Sequence, residues 1–290
     1  MYDTLKTTKE ILNKYGFYAK KSFGQNFLVN DTVLFQIANI PDVNFDDLII
    51  EIGPGLGNLT HYLKEKSNLL LFEVDPRMIN VLNDRFKEEK NIEIVLGDVL
   101  KVDIDSEILI LEEKLKKKFN KVKVVANLPY YITSPILFKL LEDSKRVEEI
   151  IVMIQNEVAD RISAKVGTKD YGILSVMVDF YANSTKEIIV KPSSFIPAPK
   201  VTSAVIKIVK QEKYKDVNAE LFKKLVHAAF ANRRKKMINS LVMNNFLNLD
   251  KEEIKNIFRN LNLTDNTRAE ELSTSKYIEI VNYLKDIKGV

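Results

Sequence analysis

Asn127-Leu128-Pro129-Tyr130 places two hydrogen-bond acceptors and an aromatic face within four residues. A proline disfavours the α region for the residue before it, so Leu128 is expected to be extended, with its carbonyl outside any helix ladder. Asn127 adds a side-chain carbonyl beside it, and Tyr130 adds a flat ring. A planar base carrying an amino group could be stacked there while both its N–H groups are accepted. The same four residues also read as a strand end, a proline turn and a core tyrosine, and the tetrapeptide alone does not separate the two readings.

Three other stretches supply complementary chemistry. Gly53-Pro54-Gly55-Leu56-Gly57 lies between a strand-like and a helix-like segment, where glycines let the backbone approach a ligand. It is not a Walker A loop, because no Gly-Lys-Ser/Thr follows. Nor does it fit G-x-G-x-x-G, since Asn58 stands where the last glycine belongs. Glu73 follows Gly53 at the spacing of an acid that chelates ribose hydroxyls. Asp98 could accept from an adenine amino group while the Val99 N–H bonds a ring nitrogen. Each carboxylate alone also reads as an ordinary strand-end or capping residue. Together they specify an adenosine ligand with no phosphate loop, which is the description of S-adenosyl-L-methionine.

Composition narrows the chemistry further. The 290-residue chain has no cysteine, which excludes disulfides, thiol nucleophiles and cysteine metal sites and fits a reducing compartment. Its only histidines, His61 and His227, fall in helix-like stretches and read as helix-surface residues. No metal site is expected. The amino terminus has no signal-peptide core, and no apolar run approaches the ~20 residues of a membrane span, so a cytoplasmic protein without membrane contact is expected. Residues 191–290 hold 19 Lys plus Arg against 11 Asp plus Glu, a net of +8, and the remainder is −4. That asymmetry points to a polyanionic partner, although solvated helix faces give part of it. A second basic and aromatic stretch runs from Lys20 and Lys21 through Phe23 to Phe27.

The elements that must hold these residues follow from periodicity. Helices are predicted over 4–14 and from an Asp31 N-cap to 40. Strand then alternates with helix: strand 48–52, helix 58–66, strand 69–74, a helix opened by Asp75 and Pro76 toward 87, and strands 92–96, 122–126 and 150–154. This is an α/β pattern, a parallel sheet covered by helices with ligand groups at the carboxyl ends of its strands. Residues 171–182 read as helix or strand, with length favouring helix. Runs 186–190 and 203–209 flank a proline-rich loop and are predicted to pair as an antiparallel hairpin. Helices follow over 219–232, 236–245, 251–260 and 275–285. A boundary near 210 separates domain 1–210 from domain 211–290.

Taken in order, Phe23-Gly24-Gln25-Asn26-Phe27-Leu28, Glu51 to Gly57, Glu73-Val74-Asp75, Gly97-Asp98-Val99 and Asn127 to Tyr130 resemble the ribosomal RNA adenine N6-dimethyltransferases. Phe195-Ile196-Pro197-Ala198-Pro199-Lys200-Val201-Thr202-Ser203-Ala204, Phe230 to Lys235 and Arg268 to Ser273 resemble the small-subunit branch, which dimethylates two adjacent adenosines near the 3′ end of small-subunit rRNA. The large-subunit, macrolide-resistance branch shares the first set, and relatives of the fold also serve as non-catalytic factors. The resemblance implies a Rossmann-like S-adenosylmethionine-dependent methyltransferase sheet with a small C-terminal all-helical domain that binds rRNA in an immature subunit, in a monomer.

It also implies cofactor contacts from Gln25, Asn26, Leu28, Gly53, Gly55, Glu73, Asp98, Val99 and Asn127. Asn127, Leu128, Pro129 and Tyr130 would seat the target base. Phe195 would either cover its second face or anchor the proline-rich loop. Lys20, Lys21, Arg233, Arg234, Lys235 and Lys236 would contact RNA phosphates, with a solvated helix face as the alternative for the last four. Two positions depart from the pattern: Tyr131 replaces an expected asparagine, and Thr202 an expected aspartate.

Overall fold

The computed structural model describes residues 2–17, 26–232 and 235–288. It divides into two compact units, Met1–Ala159 with Thr185–Lys210, and Asp160–Ser184 with Gln211–Val290. The chain therefore passes between units near 159, 184 and 210, whereas the sequence suggests one boundary near 210.

The first unit opens with helix α1 (Thr4–Lys14), the short strand β1 (Phe27–Leu28) and helix α2 (Asp31–Ala38). The N-cap of α2 is Asn30, whose side chain accepts from the Val33 N–H at 3.2 Å. Asp31, expected in that role, instead accepts from the Thr4 N–H at 3.2 Å and the Tyr62 hydroxyl at 2.6 Å, which ties α1 to the body of the unit.

The alternation then runs as expected: β2 (Leu48–Ile52), α3 (Asn58–Leu63), β3 (Asn68–Glu73), α4 (Pro76–Phe86), β4 (Ile92–Leu96), α5 (Ile104–Leu115), β5 (Val122–Asn127), α6 (Thr133–Glu142), β6 (Val147–Gln155) and α7 (Asn156–Ile162). Beyond it come α8 (Ile173–Tyr181), β7 (Ala182–Val190), β8 (Phe195–Ile196) and β9 (Ser203–Lys210). The main sheet has the order β4-β3-β2-β5-β6-β9-β7. Its β2–β6 portion is parallel, and β9 joins β6 antiparallel, which makes the sheet mixed. All five residues of β2 are buried, as are the first five of β5, because helices cover both faces of these central strands.

One charged group is built into this sheet. Lys123 on β5 lies opposite Glu149 on β6, and Lys207 on β9 reaches the same carboxylate diagonally. Their Nζ atoms are 3.2 and 3.1 Å from the Glu149 oxygens, and Glu149 is buried.

The second unit gathers α8 with α9 (Ala219–Phe230), α10 (Met237–Met243), α11 (Lys251–Asn260) and α12 (Thr274–Lys288). Phe180 stacks on Phe222 with ring centroids 3.8 Å apart. The Arg268-to-Ser273 segment is a structural clasp: the Ala269 carbonyl accepts from the buried Tyr277 hydroxyl at 2.8 Å, and the Leu272 carbonyl from Tyr171 at 2.9 Å. α11 carries a capping box in which Asp250 and Glu253 each accept the other's backbone N–H at 2.9 Å.

Candidate active site

In the parallel part of the sheet, Ile52 pairs with Phe72 and Glu73 with Leu96. The Gly53 N–H extends the ladder to the Phe72 carbonyl at 2.9 Å, and the Gly97 N–H does the same to Glu73. Three strand ends therefore finish at one level, and the end of β5 lines the same cavity. A cavity opens there, lined by Asn26, Leu28, Glu51, Gly53, Gly55, Glu73, Val74, Asp98, Val99 and the stretch from Asn127 to Ile132. Every described residue expected to touch the cofactor or the target amine lines it, except Phe195.

The glycine loop bends through positive φ at Gly53, Gly55 and Gly57. A Cβ at Gly57 would lie 2.5 Å from the Phe86 ring of α4, so this glycine permits close packing of the loop on that helix. At Gly53 a Cβ would meet nothing within 4 Å, and the constraint is the backbone conformation itself. Asn58, which breaks the dinucleotide pattern, donates to Thr8 Oγ1 and to the Leu28 carbonyl, both at 2.9 Å. It holds β1 in place beside the loop.

Glu73 is fastened from three sides. Its Oε2 accepts the Gly55 N–H at 3.0 Å, and its Oε1 accepts the Val74 and Asp75 N–H groups at 2.9 Å each. Burial pushes its carboxyl above the usual range, and the three donors pull the other way. Oε2, with one donor, keeps lone-pair capacity for a ligand hydroxyl, whereas two donors already occupy Oε1. Asp98 Oδ1 accepts from the Leu100 N–H at 3.0 Å, which fixes the turn that presents Val99.

Glu51 was not singled out from sequence, yet it lines the cavity and is 2% exposed. It accepts from Thr60 Oγ1 at 2.6 Å, and burial raises its carboxyl to about 8, with nearby Glu73 adding to the effect. An acid inside the otherwise apolar run Leu48 to Ile52 was the available signal.

The tetrapeptide begins at the last residue of β5 and lines the cavity. Asn127 is the last residue of β5, and its Nδ2 donates to the Asn26 carbonyl at 3.2 Å. The amide nitrogen is thereby used, and Oδ1 is the end left to accept. The Leu128 N–H goes to the Met153 carbonyl at 3.1 Å, so its own carbonyl leaves the sheet. Tyr130 opens a 3₁₀ turn, Tyr130–Ile132, and its hydroxyl bonds Ser203 Oγ at 2.7 Å. Burial raises that phenol. Ser203 thus positions the ring from the first residue of β9, a role that only the folded chain reveals.

Of the two roles open to Phe195, its burial favours the loop anchor. It is 3% exposed, pairs with Leu28 between β8 and β1, and belongs to a core cluster with Val190 and Val205. It anchors the proline-rich loop and offers no face to the cavity, because the β1–β8 pairing turns its ring inward. Of the expected RNA contacts, Lys235 and Lys236 are exposed just before α10. Gln25, Lys20, Lys21, Arg233 and Arg234 lie outside the described residues.

Among the described residues, no helix is long and apolar enough to cross a membrane. None of their His, Cys, Asp or Glu side chains group as metal ligands.

Comparison with known proteins bears on the whole chain. The family described as "Ribosomal RNA adenine dimethylase" matches residues 16–286. Ribosomal RNA small subunit methyltransferase A of Alkaliphilus oremlandii is 41% identical over 282 residues, covering 96% of each chain. The protein of the same name from Clostridioides difficile is 42% identical over 284 residues, covering 96% of this chain and 94% of its own. A dimethyladenosine transferase from Plasmodium falciparum superposes with a TM-score of 0.71 at 26% identity, over 91% of this chain and 98% of that one. The 23S rRNA methyltransferase ErmE shares the fold, with a TM-score of 0.57 at 22% identity over 89% of this chain and 100% of that one. From the glycine loop at the amino half to the tyrosine clasp near its end, this chain belongs to the ribosomal RNA adenine dimethylase family.

Proposed function

We propose that the protein transfers methyl groups from S-adenosyl-L-methionine to N6 of two adjacent adenosines near the 3′ end of small-subunit rRNA, during ribosome biogenesis. The observation that carries this is the amine seat at Asn127 and Leu128, on the same cavity wall as Glu73 and Asp98. The 41–42% identity to small-subunit methyltransferases over nearly the whole chain favours the small subunit over the large.

The cavity suits the proposed methyl donor. Glu73 would bind the ribose hydroxyls, Asp98 and the Val99 N–H the adenine edge, and Gly53, Gly55, Asn26, Leu28, Asn127 and, by family resemblance, Gln25 would surround the rest. Two buried carboxylates, Glu51 and Glu73, line the cavity; the buried Arg85 acts on Glu51, whereas Glu73 makes no salt bridge to a described residue, which suits a cationic ligand. Bound there, S-adenosylmethionine supplies an electrophilic methyl group on a sulfonium.

The chain's own part is orientation. Adenine N6 is a poor nucleophile because its lone pair is conjugated with the ring. Asn127 Oδ1 and the Leu128 carbonyl accept its two hydrogens, and Pro129 keeps that carbonyl extended. Tyr130, braced by Ser203, stacks on the base. The lone pair would then turn out of conjugation toward the donor's methyl carbon. As the C–N bond forms, the methyl carbon–sulfur bond would break, a neutral thioether would leave, and the N6 proton would pass to Asn127 or water. Positioning of this kind contributes up to ~7–11 kcal/mol in favourable systems. The target base must first leave its stack, at a cost of a few kcal/mol. Lys20, Lys21 and the run Arg233 to Lys236 would neutralise phosphates, in a monomeric, cytoplasmic protein whose domain 211–290 grips rRNA.

Mapping dimethyladenosine in ribosomal RNA from cells with and without the protein tests the proposal. Loss of the modification at the 3′ end of small-subunit rRNA alone is the expected result. Loss from large-subunit rRNA would assign the other branch, and no loss anywhere would leave a non-catalytic assembly factor.

A further inference from the structure

Tyr131 is 62% exposed, and no described large hydrophobic side chain is more so. Single exposed aromatics are common and need no explanation by themselves. Tyr131 differs in its location, because it lines the mouth of the cavity beside the residue that stacks the target base. It is the middle residue of the 3₁₀ turn Tyr130–Ile132, and its hydroxyl makes no hydrogen bond to a described residue.

The turn also dictates what the ring can do. Successive side chains on a 3₁₀ turn diverge by about a third of a revolution. Tyr130 and Tyr131 therefore cannot sandwich one base between them. Tyr130 is held by Ser203 at 2.7 Å and half-buried, whereas Tyr131 is solvent-exposed where the cavity opens. A base drawn out of its stack leaves its sequence neighbour with one uncovered face, and an exposed phenol ring at the mouth covers such a face without selecting its identity.

We propose that Tyr131 is a positioning residue that stacks the nucleotide next to the target adenosine, holding it at the cavity mouth while its neighbour occupies the seat. The inference rests on the functional reading above, and it assigns the two consecutive tyrosines to two consecutive bases. With adjacent adenosines as substrate, the base held at Tyr131 is the one that exchanges places with the finished base.

Two measurements test it. In the first, a single-stranded RNA carrying 2-aminopurine beside an adenosine is titrated with protein. The expected result is fluorescence quenching by the wild type and by Tyr131→Phe, lost in Tyr131→Ala, with unchanged thermal unfolding in both variants because the ring is solvent-exposed. In the second, methyl transfer to immature small subunits is followed: Tyr131→Ala should raise KM for the subunit by about tenfold, with KM for the methyl donor and kcat little changed, and Tyr131→Phe should restore it. Equal quenching by wild type and Tyr131→Ala, no quenching by wild type, or a fall in kcat without a rise in KM would each overturn the assignment. A wild-type protein inactive on small subunits would sink the functional reading, while the quenching still decides whether Tyr131 stacks a base.

Discussion

Two groups of buried carboxylates in the first unit are treated in opposite ways. Glu149, inside the sheet, is held between Lys123 and Lys207 at 3.2 and 3.1 Å. Glu51 and Glu73, at the carboxyl ends of β2 and β3, are about as buried but receive only neutral donors: a threonine hydroxyl for Glu51 and three backbone N–H groups for Glu73. Burying an acid without a cation raises its proton affinity, as both groups display. The sheet needs Glu149 for its own packing, because its charge offsets the two lysines beside it and leaves a net of +1 rather than +2. At the cavity the buried Arg85 near Glu51 only partly opposes the effect of burial, and Glu73 has backbone donors alone, so a cationic ligand would add positive charge. Perturbed carboxylates of this second kind mark sites that bind, and matched ones mark scaffold.

The largest expected effect separates binding from chemistry at that cavity. Asn127→Ala removes an uncharged acceptor of the amine, so methyl transfer in a single-turnover assay should fall about 100-fold or more, with RNA binding nearly unchanged. Parallel loss of RNA binding would contradict the assigned role.

One substitution made on both sides of the comparison should have opposite consequences for stability. Glu149→Gln leaves two lysines around an uncharged amide, and urea unfolding should report a loss of about 3–5 kcal/mol, the usual cost of breaking a buried pair. Glu51→Gln removes a carboxyl that the fold holds against ionisation while keeping an oxygen for Thr60, so it should stabilise the ligand-free protein and weaken binding of the methyl donor by calorimetry. Destabilisation by both would erase the distinction.

The Glu51 effect should also depend on pH with a definite sign. Its carboxyl ionises near 4.5 when unfolded and near 8 in the fold. Between those values the unfolded chain binds fewer protons than the folded one, so Glu51 lowers stability progressively as pH rises from about 4.5 to 8. The thermal-midpoint advantage of Glu51→Gln over wild type should therefore grow from pH 5 to pH 8; a constant difference would assign the effect to packing. The smallest expected change is at Ser203→Ala. It frees the Tyr130 hydroxyl and should reduce kcat/KM by no more than about tenfold, since a neutral hydrogen bond contributes ~0.5–1.5 kcal/mol net.

The amino-acid sequence alone determined the local elements and the chemistry carried by short segments. Apolar runs of five or six residues gave β2 to β5 to within a residue or so, and Asn127 to Tyr130 lies at the strand end where the run Val122 to Ala126 and Pro129 put it. Helices α5, α6 and α7 were missed. α5 mixes the apolar run Ile108 to Leu111 with exposed Leu109 and Ile110, which blurs its stripe. α6 has the stripe Ile136, Leu137, Leu140 and Leu141 but starts immediately after the proline turn with Pro135 in its first turn, which hid its start. Only tertiary structure decided which side chains face the cavity. Phe195 carried the right chemistry and was turned into the core by the β1–β8 pairing, a contact between residues far apart in the chain. Glu51 looked like one acid in a strand until burial on both faces of β2 raised its carboxyl. Ser203 meets Tyr130 only because β9 returns antiparallel beside β6. Residue type and spacing reveal what a segment can do, because local backbone preferences act over a few residues. Burial, charge matching and side-chain direction depend on partners distant in sequence, and the fold alone brings those together.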